Sequence, residues 1–206
     1  MQPYTGSSSP PTSAPATHAE FLSSLVPSFL SLDTTGRVIR VDSFSKVIAP
    51  GSRIGWITAP EQICERYFRH SDQSTQGPSG FSQLALFKLL DETWGHEGYL
   101  DWLVHIRLEY TARRNVMLAA CDAHLPRELC SWKPPMAGMF HWIEVDWRRH
   151  PLREKVERGE MSMEELEDRI WLRVIEEGTL LIKGSWFQAD RGAQLDKMFF
   201  RVSWWY

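Results

Sequence analysis

Cysteine is scarce in this chain of 206 residues: three in all, at Cys64, Cys121 and Cys130. An odd, sparse set is no disulfide framework and fits a reducing compartment. Charge of one sign is also lacking. Lysine and arginine number 23, aspartate and glutamate 26, and the net charge is −3, so nucleic acid is not the expected partner. Long apolar runs are missing. The partly apolar stretch 21–32 is short and broken by Pro27, too little to cross a membrane. No basic n-region with an apolar h-region opens the chain. These absences lead us to expect a soluble, cytoplasmic protein with no membrane contact. The seven histidines are scattered, with no His-Glu-x-x-His. Cys121, His124 and Cys130 lack zinc spacing and a fourth ligand, so no metal site is expected. No glycine-rich phosphate loop of the P-loop or dinucleotide kind occurs.

What the chain does have is apolar residues, 43% of it, enough for one globular domain or a large piece of a bigger one. Ten tryptophans are many for this length, and seven stand from Trp132 onward. Residues 1–17, rich in Ser, Pro and Thr, read as a flexible segment. A short helix follows over 18–26. Strands are expected over 37–44 and 54–58, with a helix over 60–70. Ser79 is a plausible N-cap for the next helix, which Gly95 and Gly98 break before a long helix over 99–124. Further on, 139–146 alternates as a strand does. Ser162-Met163-Glu164-Glu165 is a capping box, and its helix ends at Gly178. Short strands close the chain at 179–182 and 198–204. There is no internal repeat.

The most telling stretch runs from Arg40 to Gly55. β-Branched Val38, Ile39 and Val41 make a strand, and Pro50-Gly51 makes a turn. At the strand's end stand Ser43, Ser45 and Lys46, with Arg53 seven positions on (53 − 46). A lysine of this kind forms an imine with an aldehyde. Hydroxyls beside a forked guanidinium suit a phosphate. Pyridoxal phosphate is a phosphate-bearing aldehyde. A second anchor is Arg201, set in the apolar strand Met198-Phe199-Phe200-Arg201-Val202. An unpaired guanidinium there would be costly to bury, so it needs an anion.

Ser-Phe-Ser-Lys at 43–46 with Pro-Gly-Ser-Arg-Ile-Gly at 50–55 resembles the cofactor-lysine segment of class I/II aminotransferases, pyridoxal-phosphate enzymes of fold type I. The text over 42–60, Ser74-Thr75-Gln76 with Pro78-Ser79-Gly80, Ala137-Gly138-Met139-Phe140 and Gly184-Ser185-Trp186-Phe187 is similar to the fungal aromatic and 2-aminoadipate aminotransferases. That subgroup includes kynurenine aminotransferases. The resemblance covers nearly the whole chain and aligns with the C-terminal half of such an enzyme. It implies an α/β fold. Residues 18–110 would be the remnant of the pyridoxal-phosphate-binding large domain, with part of its sheet, and 111–206 a small α+β domain. Lys46 would be imine-former and proton shuttle, Ser43, Ser45 and Arg53 the phosphate cup, and Arg201 the carboxylate clamp. The segment with Gly138 and Phe140 would pass near the substrate, and Tyr67, Arg69 and Gln76 would border the site. The implied reaction moves an amino group between an aromatic or 2-amino dicarboxylic amino acid and a 2-oxo acid such as 2-oxoglutarate. The implied assembly is a homodimer.

The chain departs from the family's pattern in three places. An aromatic ring over the pyridine, an asparagine to its phenolic oxygen and an aspartate to its nitrogen would all precede Met1. The chain stops five residues past Arg201 (206 − 201), where relatives carry a closing helix. Lys183 stands where the subgroup tends to have proline. The expectation is therefore an incomplete enzyme with little turnover of its own. The alternative is a catalytically inactive aminotransferase-like protein. A regulator relative is disfavoured because no winged helix-turn-helix is present.

Overall fold

A computed structural model describes residues 15, 17–190 and 197–204. The expected flexible segment 1–17 therefore lies, but for Pro15 and Thr17, outside the described residues. By their contacts these divide into two compact units, one up to Leu108 and one from Glu109.

The first unit begins with α1 (His18–Ser23), capped by Thr17, whose hydroxyl accepts from the Glu20 N–H at 3.1 Å. This helix stops short of Pro27 because Ser24 closes it, its N–H bonding back to Glu20 O at 3.1 Å. Strand β1 (Arg40–Ser43) pairs antiparallel with β2 (Gly55–Thr58), Ser43 opposite Gly55. Helix α2 (Glu61–Gln73) follows Pro60, and α3 (Gly80–Phe87) runs into a π-helical stretch, Lys88–Trp94. Gly95, at φ +60°, breaks the run, and α4 (Gly95–His124) starts there. Gly98 does not break anything; it lies inside α4. A Cβ on it would come to 3.1 Å from Trp94 Cβ, so the glycine lets the two turns pack. Buried Phe21, Leu86 and Leu100 make the small core of this unit.

The second unit takes the rest of α4. It adds β3 (Cys130–Trp132), β4 (Phe140–Val145), α5 (Arg153–Glu157), α6 (Met163–Glu176), β5 (Ile182–Lys183) and β6 (Met198–Ser203). The strands form one antiparallel sheet in the order β3-β4-β6-β5. Strand β3 carries no alternation signal, and the sequence pattern alone does not reveal it. The capping box is present: Ser162 accepts from the Glu165 N–H, and Glu165 accepts from the Ser162 N–H. Gly178, at φ +85°, ends the helix with its N–H on Ile175 O. Met161, Met163, Leu166, Met198 and Phe200 form the core between α6 and one face of the sheet. Among the described residues no helix is long and apolar enough to cross a membrane, and no group of acidic, His and Cys side chains could hold a metal.

Candidate active site

The predicted site residues fall into both units, and each set has its own geometry. In the first unit the loop 44–54 joins β1 to β2. The Phe44 carbonyl accepts from Val47, Ile48 and Ala49 N–H groups at 3.2, 2.9 and 3.1 Å, which folds the loop tightly at Ser45 and Lys46. Trp102, on α4, pins the same turn by donating its Nε1–H to Val47 O at 2.7 Å. Phe44 packs on Trp56 of β2, ring centroids 4.8 Å apart. Lys46 is exposed at the turn and Ser45 is half-buried.

Beside this turn lies a cavity of about 640 Å³, whose wall includes Ser43, Ser52, Arg53, Gln76 and Ser82. Ser45 and Lys46 stand in the adjoining turn rather than in that wall. Two backbone facts mark the cavity. Arg53 (φ 51°) and Gln76 (φ 57°) are the non-glycine residues held in the left-handed region among those described, and both line it. Such conformations cost of order 1–3 kcal/mol and collect at functional sites. Gln76 is held by Ser71, whose carbonyl accepts the Gln76 N–H at 2.6 Å. The acid in the wall, Asp42, is spent on Arg40 through two bonds of 2.6 and 3.0 Å. The Ser52 hydroxyl donates to Ala49 O at 2.8 Å and one Arg53 Nη1–H to Pro50 O at 3.3 Å; the other hydroxyls of the wall and the rest of the Arg53 guanidinium form a donor set that fits a phosphate ester. Tyr67 also lines the cavity; nothing in its local sequence pattern marks it out beyond an apolar helix face.

In the second unit Arg201 sits on β6, directly opposite Trp142. Strand alternation places Phe199 and Arg201 on one face and Met198 and Phe200 on the other, against the core. Phe140 and Phe187 both approach the guanidinium, their ring centroids 4.2 and 4.3 Å from Cζ. Phe140 comes from β4 and Phe187 from the turn after β5, so the rings flank Arg201 from the two neighbours of its strand. Its Nε is buried without a hydrogen-bond partner among the described residues, and none of their carboxylates pairs with it. A guanidinium stacked on rings keeps its N–H edge for a planar, bidentate anion such as a carboxylate. Phe140 thus has a contact with the predicted clamp, and Phe187 joins it. Local sequence could not reveal that Phe187 lies here, since its partner is 14 positions away (201 − 187) across a sheet edge.

The comparisons with known proteins agree with this chemistry. The family model for aminotransferase class I and II matches residues 13–204. An aromatic amino acid aminotransferase of Schizosaccharomyces pombe is 49% identical over 187 residues, covering 91% of this chain and 38% of that protein. The crystal structure of the aminotransferase Aro8 of Candida albicans superposes with a TM-score of 0.80 at 44% identity, over 91% of this chain and 39% of that one. LysN, an alpha-aminoadipate aminotransferase of Thermus thermophilus solved with N-(5′-phosphopyridoxyl)-L-leucine, gives a TM-score of 0.69 at 25% identity, over 87% and 40%. The chain spans about two-fifths of the length of these relatives, and over that span it belongs to the class I and II aminotransferases.

Proposed function

We propose that the chain is the lysine-bearing part of a pyridoxal-phosphate-dependent aminotransferase. Its substrates would be an aromatic or 2-amino dicarboxylic amino acid and a 2-oxo acid such as 2-oxoglutarate. The observation that carries this reading is the hydroxyl-lined cavity next to the Lys46 turn, with two left-handed, non-glycine residues in its wall. Ser43, Ser45 and Arg53 would hold the phosphate through charge-assisted hydrogen bonds. When bound, pyridoxal phosphate supplies an aldehyde for a lysine and an electron sink for the substrate. Lys46 would be the attachment point, and its freed amine would take the proton from the substrate α-carbon. Arg201 binds the α-carboxylate along its N–H edge. The aromatic name of one relative and the aminoadipate name of another support the two substrate classes.

A homodimer is part of the proposal. Exposed Phe68 and Phe81 in the first unit give it apolar surface to cover. Cytoplasmic residence is supported by three free cysteines. The test is to add pyridoxal phosphate to the 206-residue chain and scan for the visible imine band. The band is expected in the wild type and not in Lys46→Ala. A band that survives this substitution would mean another lysine is used, and no band in the wild type would sink the cofactor reading for these residues. Amino transfer from tyrosine or 2-aminoadipate to 2-oxoglutarate is expected to be slight from this chain alone.

A further inference from the structure

The strand before the Phe187 turn carries a lysine with unusual surroundings. Lys183 is 9% exposed and pairs with Phe200, so its side chain leaves β5 on the core face, toward α6. There its ammonium pairs with the Asp168 carboxylate. It also lies 5.6 Å from the Trp171 ring and 5.1 Å from the Trp186 ring. One face of α6 thus takes hold of the whole segment. Trp171 Nε1–H donates to Leu181 O at 2.8 Å, the Ser185 N–H donates to Glu167 Oε1 at 3.3 Å, and the Trp171 and Trp186 rings meet edge-on at 5.4 Å.

The turn Gly184–Phe187 then rounds the edge of the sheet. A Cβ at Gly184 would meet Phe199 O at 2.6 Å, so the backbone passes hard against β6. On the far face the Phe187 ring reaches Trp142 (5.2 Å) and the Arg201 guanidinium (4.3 Å). One short clip therefore joins α6 on one side of the sheet to Arg201 on the other. We propose that Lys183 is a positioning residue for the Arg201 carboxylate site: by fastening the clip to Asp168 and Trp171 of α6, with Trp186 of the clip packed beside it, it holds Phe187 on the guanidinium and fixes the edge presented to a carboxylate. This rests on the reading of Arg201 given above. Lys183 touches no substrate in this scheme. It acts through Trp186 and Phe187.

The test uses the 206-residue chain and the NMR signal of the Arg201 Nε–H, identified by its loss in Arg201→Lys. Aromatic rings stacked on the guanidinium shift this signal by their ring currents. Lys183→Met, which keeps length and apolar bulk, is expected to move it toward the position of an unstacked arginine, and Lys183→Arg is expected to restore it. Titration with 2-oxoglutarate is expected to give about tenfold weaker binding in Lys183→Met, since misaligning a bidentate pair loses at least that much. An unchanged signal and unchanged affinity in Lys183→Met would overturn the proposal. So would a failure of Lys183→Arg to rescue. If Lys183→Met does not fold, Asp168→Asn serves instead: the Asp168 side chain is half exposed, and the substitution removes the ion pair without opening the core. The same two changes are expected in it, and their absence would again count against the proposal. If 2-oxoglutarate leaves the wild-type signal unmoved while Lys183→Met still shifts it, the carboxylate reading of Arg201 falls and the clip stands.

Discussion

The two units treat apolar surface in opposite ways. Up to Leu108, Val41 is 74% exposed and Phe81 87%, and the sheet is a bare two-stranded ribbon. From Glu109 on, a four-stranded sheet meets α6 over a core in which Leu166 and His141 are 0% exposed. A lone two-stranded ribbon is marginal in water, whereas three or more strands under a helix sustain themselves. The consequence reaches the candidate residues of each unit. The loop around Lys46 is stiffened by turn hydrogen bonds, left-handed residues and one tryptophan tie. Arg201 is stiffened by packing, through a strand flanked on both sides.

The sharpest way to break this comparison is a pair of truncations. Leu166→Ala empties a fully buried site and is expected to cost about 3 kcal/mol, inside the usual range for such changes. Val41→Ala is expected to change stability by less than about 0.5 kcal/mol. Urea unfolding followed by circular dichroism measures both, and equal losses would mean that Val41 is covered after all. A glycine pair comes next. Gly184→Ala drives a methyl group against the Phe199 carbonyl and is expected to cost about 2 kcal/mol, as overpacking does. Gly51→Ala, with nothing within 4 Å of its Cβ, is expected to be close to neutral.

Arg53 sharpens the contrast in a different way. Arg53→Gly relieves a left-handed φ and is expected to stabilise the first unit by about 0.5 kcal/mol, while affinity for pyridoxal phosphate falls. A variant both less stable and weaker in binding would show that Arg53 is structural. No such opposition is expected at Ser162, whose cap serves the helix alone.

The smallest effects are expected from pH, and they have opposite signs in the two units. His18 lies 2.7 Å from both Asp101 and Glu97. Its hydrogen bonds to Asp101 and then to Glu97 raise its pKa above 6.5. The contact between α1 and α4 is thus fully present below pH 6.5 and lost as pH rises through the folded-state value. His141 goes the other way. Burial lowers its pKa from 6.5, and neither ring nitrogen has a hydrogen-bond partner among the described residues. The second unit is therefore most stable above pH 6.5 and weakens as pH falls toward the lower folded-state value. Histidine NMR titrations read both signs directly, and a His141 that titrates above 6.5 would contradict its burial.

Much of this molecule was open to a reading of residue type and spacing. The Ser43–Arg53 pattern marked out the loop that joins β1 to β2, and the capping box and Gly178 marked both ends of α6. Other elements carried no such mark. Strand β3 exists because β4 offers it an edge, with Cys130 opposite Val145, and three residues are too few to show a period. Gly98 looks like a helix breaker by composition, yet it serves tryptophan packing inside α4. Tyr67 and Gln76, set beside the site by the resemblance and by no local pattern, line the cavity next to the Lys46 loop.

The chemistry available here — an amine, hydroxyls and two guanidiniums — needed no structure, because nucleophiles and phosphate or carboxylate donors are properties of side chains. Their order along strands and turns followed from local propensity. What flanks Arg201, what holds Lys183 and which apolar side chains this chain leaves exposed were settled by tertiary structure alone. Those outcomes depend on which strand lies next to which, and a sheet edge brings Phe187 to Arg201 and Lys183 to Asp168 by packing energies that no local pattern encodes.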